Sequence, residues 1–119
     1  MSTFYLKHRD TLPPLEVVLL NPDGSVHDLS GATSVTLHIR LNDGQTISRE
    51  MDSELDDTGL VSYEWQTTDW TVSPKLYPGE HRMEYEVLAP AGRLTFPNGE
   101  DASEPGYDTL SIADDIGQA

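Results

Sequence analysis

The chain contains no cysteine. That excludes disulfides, thiolate zinc sites and cysteine nucleophiles, and it argues against a small secreted disulfide scaffold. Folding in a reducing cytoplasm is the simplest expectation. Basic residues are scarce: 7 Lys and Arg stand against 21 Asp and Glu, for a formal charge of -14. Such a field repels phosphate backbones and anionic membrane surfaces, so neither nucleic acid nor membrane is expected as a partner. It favours solubility, or pairing with a basic partner. No apolar run approaches the roughly 20 residues that span a bilayer. The opening MSTFYLKHRD does not read as a signal peptide, because no apolar stretch follows its basic residues. Helical periodicity is almost absent. So are the Gly-x-Ser-x-Gly, Gly-x-Gly-x-x-Gly and Gly-Lys-Ser/Thr patterns of nucleophile elbows and phosphate loops.

What the chain does have is short runs of period two between turn signals. Its 119 residues suit one domain. Thr3–Lys7 reads as a first strand, interrupted by Pro13-Pro14. The strand at Glu16–Leu20 is continuously apolar over Val17–Leu20, which predicts cover on both faces. Asn21-Pro22-Asp23-Gly24 is a turn, with a short return strand over Ser25–Leu29. Ser34–Leu41 is the best strand, with Val35, Leu37, Ile39 and Leu41 on one face and Thr36, His38 and Arg40 on the other. Asn42-Asp43-Gly44 is a hairpin signal leading into Gln45–Met51. An acidic loop over Glu50–Gly59 precedes Leu60–Gln66, in which Val61, Tyr63 and Trp65 alternate with polar residues.

Thr68–Ser73 is expected to form a helical turn or a loop. Glu80–Ala89 is a long strand with His81, Met83, Tyr85 and Val87 inward; Arg93–Phe96 and Tyr107–Ala113 follow. A Gly, Pro, Glu and Asp loop spans 97–106, and 114–119 reads as a frayed acidic tail. Seven to nine short strands in one domain over residues 1–113 predict an all-β, immunoglobulin-like antiparallel β-sandwich. A small closed barrel is the alternative.

The candidate functional residues each have a plain structural explanation. Val61, Tyr63 and Trp65 read as the inner face of a sheet, since inward aromatics bury about 150–250 Å² each. Trp70 follows in a polar connector and is expected to cap an open end of the core, with an interface anchor as the alternative. Glu50, Asp52, Glu54, Asp56 and Asp57 lack the spacing and central glycine of an EF-hand loop and read as a solvated loop. Glu100, Asp101 and Glu104 read the same way. His8, His27, His38 and His81 show no HExxH or His-x-His spacing, and His38 is expected to face solvent. No catalytic, cofactor or metal residue is assigned, and no enzyme is expected, because nothing meets the tests for a catalytic constellation.

The order of these segments resembles the N-terminal-like domain of phage baseplate upper proteins. The matching residues are Arg9-Asp10-Thr11, Leu15–Leu20, Asn21-Pro22-Asp23-Gly24 and Leu29-Ser30-Gly31-Ala32. Further along they are Thr58–Trp65, Pro78–Val87 and Thr95–Asn98. The segment Gly99–Gly106 is longer than the family pattern. The resemblance implies an immunoglobulin-like module of the phage tail or baseplate, located in the virion and present in several copies. It would be made in the host bacterial cytoplasm and dock on other phage proteins. Alternatives are a capsid decoration or head–tail joining protein, and a carbohydrate-binding module using Trp65 or Trp70.

Overall fold

A computed structural model describes residues 3–97 and 107–114. The loop expected over 97–106, with Glu100, Asp101 and Glu104, falls outside the described residues except for Pro97. The tail of 114–119 does so except for Asp114.

Eight strands and one short helix are present among the described residues: β1 (Thr3–Lys7), β2 (Leu15–Val18), β3 (Ser34–Arg40), β4 (Thr46–Glu50), β5 (Leu60–Tyr63), α1 (Thr67–Thr71), β6 (Gly79–Ala89), β7 (Gly92–Phe96) and β8 (Asp108–Ala113). They form an immunoglobulin-like β-sandwich of two unequal layers. The larger is a six-stranded sheet in the order β1-β8-β6-β3-β4. Its axis is β6, whose 11 residues serve two neighbours on one side. Gly79–Met83 pair with β8, and Tyr85–Ala89 pair with β7. Most pairs are antiparallel, but β1 lies parallel to β8. The smaller layer pairs β2 with β5, and Asp52 extends it by one bridge to Ser62.

The alternation read from the sequence sets the inner faces. Val35, Leu37 and Ile39 of β3 and His81, Met83, Tyr85 and Val87 of β6 are all buried. Opposite them, the smaller layer contributes Leu15, Leu19, Val61, Tyr63 and Trp65 to the same core. Pleat geometry requires this arrangement: with side chains alternating, one face of each strand is apolar and packs inward.

Three sequence expectations change. The run Val17–Leu20 is not covered on both faces: Leu19 is buried, while Val18 and Leu20 are exposed. A two-stranded layer has only its inner face covered, so the extra aliphatics point outward. The return strand over Ser25–Leu29 reduces to a single bridge, Leu20 to Val26. The strand read as Leu60–Gln66 ends at Tyr63, and Gln66 instead caps the N-terminus of α1.

The loops around the smaller layer are tied by backbone bonds. Leu19 N–H donates to the Gly59 carbonyl at 2.9 Å, and His27 N–H to the Leu19 carbonyl at 2.9 Å. Gly59 has φ +67, and a Cβ there would lie 2.7 Å from Val26 Cγ1 and 2.9 Å from the His27 carbonyl oxygen. Only glycine suits both the positive φ and this close approach.

Candidate docking surface

The outer face of the smaller layer is the chain's clearest departure from a satisfied surface. Val18 and Leu60 are directly opposite each other across β2 and β5. Leu20 follows Val18 on the same side and bridges to Val26, which in turn packs over Gly59 beside Leu60. The four side chains are 45%, 42%, 48% and 43% exposed for Val18, Leu60, Leu20 and Val26. Single exposed aliphatics are ordinary; a contiguous group of four on one face is not.

The charge around this group has one sign. No Lys or Arg occurs from Asp10 to Ile39 or from Glu50 to Pro74, the two segments that build the smaller layer. Glu16, Asp23, Asp28, Asp52, Asp56 and Asp57 occur there instead. Three of these acids shape loops. Asp23, Asp28 and Asp56 each accept the backbone N–H and the hydroxyl of the residue two positions on, which are Ser25, Ser30 and Thr58. The hydroxyl bond first, then the N–H bond, holds each carboxyl below its usual range. Within Glu50–Asp57, Asp56 and Ser53 (whose Oγ accepts the Leu55 N–H at 3.0 Å) each stabilise a turn by a side chain. Among the described residues, no group of three or more His, Asp or Glu side chains is placed to hold a metal ion.

The outer face of the larger sheet is mostly polar and mixed in charge, with Tyr5 and Leu88 exposed on it. His38 lies there, its Nδ1 2.8 Å from Ser48 Oγ and its Nε2 3.2 Å from Glu86. Arg93 donates to the same Glu86 at 3.0 Å. The His38 contact first, and Arg93 with it, lowers the Glu86 pKa.

The remaining histidines are packed into the structure. The His8 ring meets Trp70 at 5.3 Å and the His27 ring meets Phe96 at 4.9 Å. His81 is buried. It accepts the Asn42 N–H on Nδ1 and donates from Nε2 to the Tyr77 carbonyl, which fixes its tautomer.

Both tryptophans are core. Trp65 is 3% exposed, edge-on to Tyr63 at 5.3 Å, and its indole N–H finds no acceptor among the described residues. Trp70 is 5% exposed. It does not sit at an open margin, because its N–H donates to the Asp10 carbonyl at 3.2 Å and pins the β1–β2 connection over it. Neither ring is presented as a stacking platform, which removes the sequence basis for a carbohydrate site on these two residues.

One buried polar cluster goes beyond the sequence expectations. Asp69, 1% exposed, accepts the Tyr63 hydroxyl at 2.7 Å, the Gln66 N–H at 2.8 Å and Arg49 Nε at 3.0 Å. It joins α1 to β5 in one layer and to β4 in the other. The available signal is the spacing Gln66…Asp69, a capping-box arrangement that the structure forms. A second buried pair, Tyr85 hydroxyl to Asp108 at 2.9 Å, sits under β6 and β8. Burial, then the nearby carboxylates, raises the pKa of both tyrosines.

No protein-family model matches the sequence, and no curated protein matches it. Among solved structures, the crystal structure of CopC from Methylosinus trichosporium OB3b is similar over 100% of this chain and 91% of that one. The TM-score is 0.52 and the identity is 8%. A likeness at that identity concerns the fold, and it agrees with the sandwich described above. No helix among the described residues is long and apolar enough to cross a membrane.

Proposed function

We propose that this chain is a non-enzymatic docking module of a bacteriophage particle, built into the tail or baseplate. The observation that carries the docking reading is the aliphatic face of Val18, Leu20, Val26 and Leu60, set in segments with many acids and no base. Burying such a face on a neighbour is favourable, and the surrounding acids select a partner with complementary charge. Edge strands β1 and β4 give the larger sheet open backbone groups for strand addition. The phage assignment rests on the ordered resemblance of the sequence to baseplate upper protein domains. Several copies in a symmetric assembly would reinforce one modest interface.

The test is incorporation. Particles purified from the source strain after phage induction are analysed by mass spectrometry for this chain and its copy number. The expected result is a fixed, low copy number per particle. It should be lost when Val18→Ser and Leu60→Ser are combined in a chain that still folds. Hundreds of copies per particle would move the reading to capsid decoration. A chain abundant in the lysate and missing from particles would overturn it.

A further inference from the structure

We propose that Arg40 and Arg82 form a carboxylate-binding site on the outer face of the larger sheet, separate from the aliphatic face. The two arginines are directly opposite each other across β3 and β6. Like charges in that position repel and destabilise the pair. A chain with only 7 bases nevertheless places two of them there.

Neither guanidinium is neutralised by a carboxylate among the described residues. The ion pairs there use Arg49 with Asp69, Arg93 with Glu86, and His38 with Glu86. Arg40 is held instead by a neutral group, donating from Nε to Thr46 Oγ1 at 3.1 Å. Arg82 is held by an aromatic face, its guanidinium carbon 4.6 Å from the centre of the Tyr107 ring. Each arginine is thus oriented from its outer side, with N–H donors left over for a ligand.

Two clefts meet at this pair. One, of about 430 Å³, is lined by Arg40, Arg82 and Tyr107 together with Asn42, Glu80 and Thr109. The other, of about 370 Å³, shares Arg40, Arg82 and Tyr107 and adds His38, Thr46 and Glu84. A planar carboxylate matches the guanidinium fork, and bonds to ionised partners are the strong ones.

The surroundings also set the ligand's charge. Glu80 and Glu84 stand two residues to either side of Arg82 along β6, one in each cleft. With the chain at -14, they repel a dianion such as phosphate more than a single carboxylate. The carboxylate is that of a free small acid, or of an Asp or Glu side chain on a partner protein.

The experiment follows the arginine Nε–Hε signals of the full chain by NMR at constant ionic strength, with chloride as the reference salt. The probes are sodium acetate, sodium phosphate, and a terminally blocked peptide of alternating Gly and Glu. Arg40 and Arg82 should shift together and saturably with a carboxylate, while the ion-paired Arg93 stays still. Phosphate should bind less tightly than acetate. A peptide affinity at least about tenfold above acetate identifies a partner side chain as the source. Equal affinities identify a free acid.

Arg40→Gln and Arg82→Gln, each checked for a melting temperature no lower than the parent's because one charge fewer relieves the repulsion, should each weaken binding by about tenfold. The site is refuted if Arg93 shifts in parallel, if chloride reproduces the shifts, or if the Gln variants bind as the parent does. Loss of the site would leave the docking reading intact, since that reading is scored by particle incorporation.

Discussion

The two layers of the sandwich place their surplus residues differently. The larger sheet buries most of its aliphatics and covers most of its outer face with threonine, arginine, glutamate and histidine, with Leu88 of β6 and Tyr5 of β1 exposed singly there. The smaller layer has aliphatics on both faces, and nothing among the described residues covers the outer set. Its strands are short, four residues each, and its position depends on loops and on Asp69 rather than on neighbouring strands. One layer is thus built for folding, and the other divides its apolar residues between folding and contact. Substitutions can separate these roles.

The largest effect should come from the middle of the larger sheet. Leu37 is fully buried in β3, and Leu37→Ala should lower unfolding free energy by about 3–4 kcal/mol, from lost transfer energy and the cavity left behind. Urea unfolding with an unchanged m-value would report it. A loss below about 1 kcal/mol would mean that the site collapses freely and that the sheet is not the rigid partner.

The joint between the layers comes next. Asp69→Asn should cost about 2–3 kcal/mol, because Arg49 loses its counter-charge and a buried donor replaces an acceptor beside Tyr63. Arg49 is 34% exposed along its side chain, so water recovers some of its solvation and the cost stays below that of a fully buried pair. The same urea series should show Arg49→Gln to be milder than Asp69→Asn. The reverse order would remove Asp69 from the centre of the cluster.

Alkali tests both buried hydroxyls together. Burial holds the pKa values of Tyr63 and Tyr85 in the folded chain above the ordinary tyrosine value. Their contribution is present in full below the unfolded value and is lost as pH rises from about 10 toward the folded values, because only the unfolded state releases the proton there. Phenolate absorbance should therefore rise in two stages, with Tyr63 and Tyr85 titrating only as the chain unfolds. Ready ionisation of all five tyrosines at a pH of about 10 in folded protein would contradict the burial assigned to these two.

The smallest stability effect belongs to the contact face. Val18→Ser combined with Leu60→Ser should cost about 1 kcal/mol of folding free energy, because the two face each other across β2 and β5 with nearly half of each in water. Thermal melts of the double variant check it. A large loss would reassign these side chains to the fold.

Much of this arrangement is legible in the sequence, and the features that are not share a cause. The strands β3 and β6 are readable because alternation alone determines which side of a half-buried strand turns inward. Leu37 and Tyr85 can be placed that way. The fate of Val18 and Leu20 cannot, because an apolar run states that two faces are greasy and does not state whether a second layer exists. The burial of Trp70 is hidden because its cover comes from Asp10, 60 residues away in sequence. Asp69 gives little warning because a lone acid in a polar connector looks solvated until Tyr63, Gln66 and Arg49 converge on it. The aliphatic face is legible as residues and illegible as a surface.

The parallel pairing of β1 and β8 has a mechanical consequence. Thr3 through Lys7 run alongside Thr109 through Ala113 in the same direction, so the first strand begins at one pole and the last strand ends at the other. Tension applied to those two ends slides the strands past each other. The rungs between them must then give way together, whereas a hairpin peeled from its open end loses its rungs singly. A domain threaded this way resists stretching along its length.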